Sequence, residues 1–459
     1  MRIATSPFRK LPILSLFILF PCLILSYLPV ITLRTIQGLH IDISLLYILV
    51  GIVIVSNTPL LARHFTRLYH SISWRFFLLF VSYTWVSTAW STNPVRAVAT
   101  AAFLTSLFLV GSIIMLRFSE IREKRQQLIH YSIIAFALSC LWASWQIIAD
   151  TLGIPPAFTG LPAMYTGDVF GIARPTAFSL EPQFYGSILL IPLLWAAWNI
   201  FSHSKNLRLY YIVFISSLTM LVLTLSRGAL LAALGGLVIL LAYTRPSFIT
   251  YLKFVAFGVT SIALALCIVF TAGSLRKDTI SGRETVAKTI NQLSLGTIDI
   301  SPPAVSHGVP ATDIPPRPVV TSPGYIKSST TSRLTMTDSA LQLWSQSPHT
   351  LLFGVGVGGF GSALANKDPS RPIGSIVGNY YVEMLVETGL VGLLLFICFL
   401  VLLLWSVYRK KQWLLFSLAG AFLIQWLFFS GNANIIHVWV IYGLCLALPT
   451  KLPRTVHGQ

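Results

Sequence analysis

The sequence predicts an all-α fold, a polytopic transmembrane helix bundle of about 12 spans, and two observations support this. Of the 459 residues, 55% are hydrophobic and only 10% are charged, whereas soluble globular proteins carry about 25% charged residues. Apolar runs of about 18 residues or more recur along the chain, and each is long enough to cross about 30 Å of hydrocarbon. Because these runs are continuous rather than alternating, they indicate helices and not the strands of a membrane barrel.

The distribution of lysine and arginine orients the spans. Their approximate limits are 11–32, 41–61, 74–91, 95–116, 129–149, 183–201, 208–225, 228–243, 250–272, 381–407, 413–430 and 435–450. With a cytoplasmic N-terminus, every inside segment is basic, as the positive-inside rule requires, and the even span count places both termini in the cytoplasm. The net charge of +18 therefore arises from these loops and from outward arginines, and it does not indicate nucleic-acid binding.

Two segments are too polar for lipid, and both face outward in this topology. They divide the chain into residues 1–272, which hold spans 1–9 and the outer loop 150–182; residues 273–380, a large extracytoplasmic loop between spans 9 and 10; and residues 381–459, which hold spans 10–12. The large loop contains a proline-rich insert at 300–324, whose composition predicts an extended segment. Short helices are predicted over 281–293 and 332–345.

Several kinds of site are not indicated. All five cysteines fall inside apolar runs, so neither a disulfide framework nor a thiol catalyst is expected. The histidines lack the spacing of a zinc site, and there is no Walker loop. The glycine-rich segment 354–361 contains a formal G-x-G-x-x-G match, but it lies in an outer loop and lacks the strand and helix of a dinucleotide site. It predicts a tight turn, with an anion-binding nest of N–H groups as one interpretation.

Three outward arginines are candidate ligands for an anion: Arg174, Arg227 and Arg333. Arg227 lies in a tight outer turn between two apolar runs. One interpretation is a side chain that merely extends its charged end to the interface. The other is a clamp, because a planar guanidinium binds phosphate through two parallel hydrogen bonds. Three cations on one face would suit a diphosphate.

Three carboxylates are candidates for acid–base chemistry. Glu181 lies where the chain re-enters the membrane, and Glu383 and Glu387 are four residues apart, so they share one helix face. Ionisable residues within a membrane are candidates for function. The alternative interpretation is that they are structural partners of the nearby arginines.

Four segments, in this order, resemble the bacterial O-antigen ligase and polymerase family of membrane glycosyltransferases. Residues 80–94 resemble its third span with a WS-x-x-P exit, and 226–230 resemble its SRGA turn. Residues 333–343 with 352–356 resemble its R…A…P-L-x-G-x-G loop. Residues 379–392 resemble its HN-x-x-L-x-x-L-x-E-x-G-x-x-G helix start.

The resemblance implies a GT-C-like enzyme in the bacterial inner membrane that works at the outer face. Its donor would be an undecaprenyl-diphosphate-linked glycan, and no metal, nucleotide or other cofactor is expected. Arg174, Arg227, Arg333 and Asn379 would bind the diphosphate or glycan. Glu181 or Glu383 would be the catalytic base.

One departure from the family favours a polymerase. Gly378 stands where the family often has a histidine before the asparagine, and the ligase interpretation depends most on that histidine. The Glu-Pro-x-Phe element at Glu181 is more like that of exopolysaccharide polymerases. We therefore expect polymerisation of lipid-linked repeat units into a surface polysaccharide, with a chain-length regulator and a flippase as partners. The alternatives are a ligase that moves glycan onto lipid A core or another acceptor, and a secondary transporter.

The predicted topology has a direct test in phosphatase fusions, which are active only outside the cytoplasm. A fusion at Pro316 should be active and one at Lys410 inactive, because the positive-inside rule places these residues on opposite sides. The reverse pattern would contradict the prediction that the candidate site faces outward.

Overall fold

The computed structural model describes residues 11–25, 29–36, 39–167, 171–202, 207–276, 282–293, 322–430 and 436–447. It confirms the predicted bundle of apolar helices. Within these residues, seven helices are long and apolar enough to cross a membrane by length and composition, and four more are apolar but shorter. The count of twelve spans and the cytoplasmic placement of the termini stay predictions.

The helices follow the predicted spans closely. Their bounds are α1 Leu11–Leu25, α2 Leu45–Tyr69, α3 Ile72–Ser87, α4 Pro94–Leu116, α5 Phe118–Glu123, α6 Arg125–Thr151, α7 Pro182–Phe201, α8 Leu207–Leu223, α9 Arg227–Thr244, α10 Phe248–Leu275, α11 Gly282–Leu293, α12 Ser322–Trp344, α13 Pro348–Phe353, α14 Phe360–Lys367, α15 Tyr380–Arg409, α16 Trp413–Gln425 and α17 Ile436–Leu446.

The all-α prediction omitted one short pair of strands. Pro29–Ile36 (β1) and Leu39–Ser44 (β2) form a two-stranded antiparallel sheet in which Thr32 pairs with Asp42. The two segments are rich in β-branched residues, which favour a pleated conformation. The predicted first span to 32 and second span from 41 therefore extended too far into this connection.

The two short helices predicted in the large outer loop both exist. One is α11, which matches its predicted bounds, and the other is α12, which begins at Ser322 and so enters the predicted insert 300–324. Most of that insert, residues 300–321, lies outside the described residues.

Contacts divide the chain into two compact units: residues 1–136 with 337–459, here the first unit, and residues 137–336, the second unit. Stacked rings form the core of the first unit, where Phe77 lies 4.5 Å from Trp439 and 4.7 Å from Phe399 between ring centres. The helices α4 and α17 approach closely because glycines face each other, and a Cβ at Gly443 would lie 2.6 Å from the Gly111 carbonyl oxygen. Small residues commonly allow such approach between membrane helices.

In the second unit, α7 packs against α8, α9 and α10. A Cβ at Gly186 would lie 2.9 Å from that of Ala229, so the start of α7 lies directly against the start of α9. At the other end, the ring of Phe254 packs at a tilt against those of Phe201 and Phe214, each 4.7 Å away between ring centres. This packing brings Glu181, just before α7, and Arg227, the first residue of α9, to the same end of the unit.

Candidate active site

Arg227 begins α9 directly after a tight turn. Leu225 in that turn has φ +52, an uncommon conformation for a residue with a side chain. The hydroxyl of Thr224 stabilises the turn, because it accepts a hydrogen bond from the Ser226 N–H at 3.2 Å and donates one to the Leu221 carbonyl at 2.7 Å. The half-buried Arg227 therefore projects from a backbone of defined shape.

Arg174 is connected to the same turn. Its side chain is buried, and Nε donates a hydrogen bond to the Thr224 carbonyl at 3.0 Å. Its guanidinium carbon lies 5.6 Å from the centre of the Tyr165 ring, within the range of a cation–π interaction. The Arg174 N–H also donates to the Tyr165 carbonyl, at 2.8 Å. Arg174 is thus hydrogen-bonded to Thr224, which lies only three positions before Arg227 in the chain.

Glu181 lies directly before the apolar helix α7. It occupies the N-cap position of α7 and accepts a hydrogen bond from the side-chain amide of Gln183. Burial raises the pKa of Glu181, while the Gln183 hydrogen bond and the charges of Arg174 and Arg333 lower it. Arg333, on the exposed face of α12, therefore lies close enough to act on Glu181. The second unit thus brings together four of the six predicted site residues.

The other two, Asn379 and Glu383, lie in the first unit at the start of α15. Asn379 is the N-cap, and its side-chain oxygen accepts hydrogen bonds from the N–H groups of Tyr381 and Val382 at 3.0 and 3.2 Å. Capping alone therefore explains an asparagine here. Gly378 before it has φ +82, a conformation that glycine adopts without strain. This backbone conformation explains why glycine suits the position.

Helix α15 is broken at Gly389, which has φ 65 and ψ −170. The break leaves carbonyl groups of the preceding turn without helical partners, and the glycine-rich loop 354–361 supplies them. The N–H of Val355 donates to the Val386 carbonyl at 2.9 Å, and that of Gly356 donates to the Glu387 carbonyl at 3.0 Å. A Cβ at Gly389 would lie 2.3 Å from the Leu352 carbonyl oxygen, so the contact requires glycine.

The carboxylate of Glu387 completes this contact. Oε2 accepts a hydrogen bond from the Gly358 N–H at 2.8 Å, and Oε1 accepts one from the Phe360 N–H at 3.4 Å. The predicted tight turn is confirmed, and the anion held by its N–H groups is a side chain of the protein itself. Glu387 therefore stabilises the loop, a structural role that differs from the predicted one, in which it would be a partner of the nearby arginines.

Glu383 differs from Glu387. It is also buried, yet its Oε2 atom has no hydrogen-bond partner within the described part of the chain. The Ser430 hydroxyl lies beside the carboxyl group, and Arg96 acts electrostatically on both Glu383 and Glu387. Arg96 was not among the candidate residues predicted from the sequence. Its position, in the first turn of α4 after the WS-x-x-P segment, was the available signal.

Comparison with known families agrees with the resemblance. Residues 212–397 match the family model described as O-antigen ligase. This region is therefore similar to the O-antigen ligase family. No curated protein matches the chain.

O-antigen ligase family proteins are membrane glycosyltransferase-like enzymes that act on lipid-linked glycans. The matched region contains Arg227, Arg333, Asn379 and Glu383, whereas Arg174 and Glu181 lie before it. It also contains the break in α15 at Gly389 and the glycine-rich loop. Among the described residues, no group of three or more His, Cys, Asp or Glu side chains is arranged to hold a metal ion.

The role assigned to Glu387 predicts a loss of stability on Glu387→Gln. An amide has only one oxygen, so one loop N–H would face an NH₂ group instead of an acceptor. We expect the thermal unfolding temperature of the purified protein to fall, since a charge-assisted hydrogen bond contributes about 1.5–3 kcal/mol. Glu123→Gln, at an exposed position, is the control and should leave it unchanged. Normal stability with abolished activity would instead identify Glu387 as a catalytic group.

Proposed function

We propose that this protein polymerises undecaprenyl-diphosphate-linked oligosaccharide repeat units on the outer face of the bacterial inner membrane. One observation carries the proposal: the second unit holds Arg174, Glu181 and Arg333 within electrostatic range, with Arg174 bonded to the turn that begins at Thr224 and leads to Arg227. Cations beside a carboxyl group are what transfer from a lipid diphosphate requires.

The arginines act on the leaving group. As the bond between the anomeric carbon and the diphosphate oxygen breaks, negative charge develops on the phosphate. Fixed guanidinium groups stabilise that charge best when they need not reorganise during the reaction. Arg174 and Arg227 meet this condition, because a hydrogen bond and a tight turn set their positions. Arg333 is exposed and assists from α12.

Glu181 acts on the acceptor. A sugar hydroxyl attacks the anomeric carbon, its oxygen forms the new glycosidic bond, and its proton passes to the Glu181 carboxylate. Undecaprenyl diphosphate leaves with the electron pair of the broken bond. A raised pKa suits a general base, because proton transfer is most efficient when the pKa is near the working pH. Since the diphosphate is already an activated leaving group, this reaction needs neither metal nor nucleotide.

Glu383 is the second candidate base and Asn379 a candidate glycan ligand. The buried Oε2 atom of Glu383 supports a role for it. Glu181 is the stronger candidate because it lies in the same unit as the three arginines.

The family match also fits a ligase that transfers the glycan to lipid A core or another acceptor. Gly378 favours the polymerase, because the ligase interpretation depends most on a histidine at this position. Long polymer made in cells that lack any ligase acceptor would support polymerisation, and lipid-linked single repeats in those cells would support the ligase. A flippase and a chain-length regulator are the expected partners of the polymerase.

Arg227 provides the test of the clamp. Arg227→Lys keeps the charge but loses the planar fork, so we expect it to fail nearly as badly as Arg227→Ala. Loss of one charge-assisted bond in the transition state, about 1.5–3 kcal/mol, would slow turnover about ten- to a hundredfold. The measurement is the polymer made by a deletion strain complemented with each variant at matched membrane levels.

Exposed Arg283 on α11 offers the matched control, and Arg283→Lys and Arg283→Ala should make normal polymer. If Arg227 only extends its charge to the interface, Arg227→Lys will be close to wild type. Normal polymer from both Arg227 variants would remove this residue from the site.

If Glu181 is the base, the activity should depend on pH. A base must be deprotonated, so activity should fall as pH drops through the pKa of Glu181, and burial places this fall above the range of an exposed glutamate. Arg333→Gln removes a cation that favours the carboxylate and should move the fall to higher pH. The shift should shrink at high salt, because Arg333 is exposed and its charge is screened.

The pH–rate profile of purified protein in lipid nanodiscs measures this effect, with Arg283→Gln as the control. Glu181→Gln should lower the rate roughly a hundred- to ten-thousandfold, the usual contribution of a general base. An unshifted profile in Arg333→Gln, together with a large loss in Glu383→Gln alone, would transfer the role of base to Glu383.

A further inference from the structure

The segment that carries Arg174 is buried without being helical. Ala173, Thr176, Ala177 and Ser179 are all at most 1% exposed, and Ala177 has φ +47. Buried backbone N–H and C=O groups must find partners, and a segment without regular structure cannot supply all of them itself. What holds this segment in place therefore also determines where Arg174 lies.

Gln146, in the last turns of α6, supplies the missing partners. Its side chain is fully buried. Oε1 accepts hydrogen bonds from the N–H groups of Thr176 at 3.0 Å and Ala177 at 2.9 Å. Nε2 donates to the carbonyls of Thr159 at 3.1 Å and Ala177 at 3.3 Å. One amide thus pairs with both polar groups of Ala177, as a neighbouring strand would, and holds it in its uncommon conformation.

The connection to Arg174 is short. Thr176 follows Arg174 by two residues, with only Pro175 between them, and proline restricts the backbone on both sides. A shift of the Thr176 peptide would therefore be transmitted to Arg174. The hydrogen bond from Arg174 Nε to Thr224 fixes the other end of the side chain.

We propose that Gln146 is a positioning residue for Arg174, which it orients towards the diphosphate of the lipid-linked donor through its hydrogen bonds to Thr176 and Ala177. The inference rests on the proposed function of Arg174. Gln146 would thus contribute to substrate binding through Arg174 rather than through direct contact with the substrate.

Two variants test the hydrogen-bond pattern. Gln146→Glu keeps the acceptor for the two N–H groups but replaces the donor with an oxygen that faces two carbonyls, and Gln146→Leu removes both functions. We expect each variant to weaken binding of undecaprenyl diphosphate about ten- to a hundredfold, since small misplacement of a binding group has effects of this order. Affinity is measured as the shift of thermal unfolding temperature with undecaprenyl diphosphate concentration, so it does not depend on turnover.

Asp150 provides a matched control one helical turn further along α6. Its carboxylate accepts a hydrogen bond from the Gly167 N–H at 3.0 Å and pairs with Arg276 at 2.9 Å, so it holds the same outer loop at a different point. Asp150→Asn should leave the affinity for undecaprenyl diphosphate unchanged. An equal loss of affinity in Asp150→Asn would show a general effect of loop integrity and overturn the proposal.

A double-mutant cycle separates this inference from the proposed function. If Gln146 acts through Arg174, Gln146→Leu should add little to the loss already caused by Arg174→Lys. Fully additive losses, or failure of both Gln146 variants to reach the membrane, would show a structural role only and overturn the proposal. Wild-type affinity in both Arg174→Lys and Arg174→Ala would instead contradict the diphosphate site itself.

Discussion

Backbone polar groups buried in a membrane protein must be satisfied within the protein, and both non-helical segments beside the candidate groups depend on this constraint. In each unit one buried side chain meets it. Gln146 pairs with the peptide of Ala177 in the second unit, and Glu387 binds the N–H groups of the glycine-rich loop in the first. These contacts allow the chain to leave regular helix and still place side chains such as Arg174 in defined positions.

The same constraint separates groups that the sequence presents alike. Glu383 and Glu387 share a helix turn and are both buried. The Glu387 carboxylate accepts a hydrogen bond from the glycine-rich loop, whereas the Oε2 atom of Glu383 has no hydrogen-bond partner among the described residues. Among the arginines, Arg174 is fixed by Thr224 and Tyr165, whereas Arg333 is exposed and its charge acts on Glu181. The hydrogen bonds that a buried polar residue makes within the protein thus indicate whether its role is structural or functional.

Much of the fold followed from the sequence, because long apolar runs and their flanking charges report directly on membrane helices. The tight turn before Arg227 and the N-terminal position of Glu181 on its helix were predicted from local patterns. The strand pair at 29–44 was overlooked because its residues are apolar enough to extend the neighbouring spans. Gln146 and Arg96 were not recognised as important, because their partners lie 13 or more residues away and no local pattern encodes such a contact.

Binding of the lipid diphosphate by Arg174 and Arg227 is the interaction on which the proposed function depends. An electron cryomicroscopy structure of the full chain in nanodiscs with undecaprenyl diphosphate tests it most directly. We expect phosphate oxygens at about 2.7–2.9 Å from both guanidinium groups, the usual distance of a charge-assisted hydrogen bond, with the Glu181 carboxyl group facing the same space. Phosphate density bound elsewhere, for example by Arg96 beside Glu383, would contradict it.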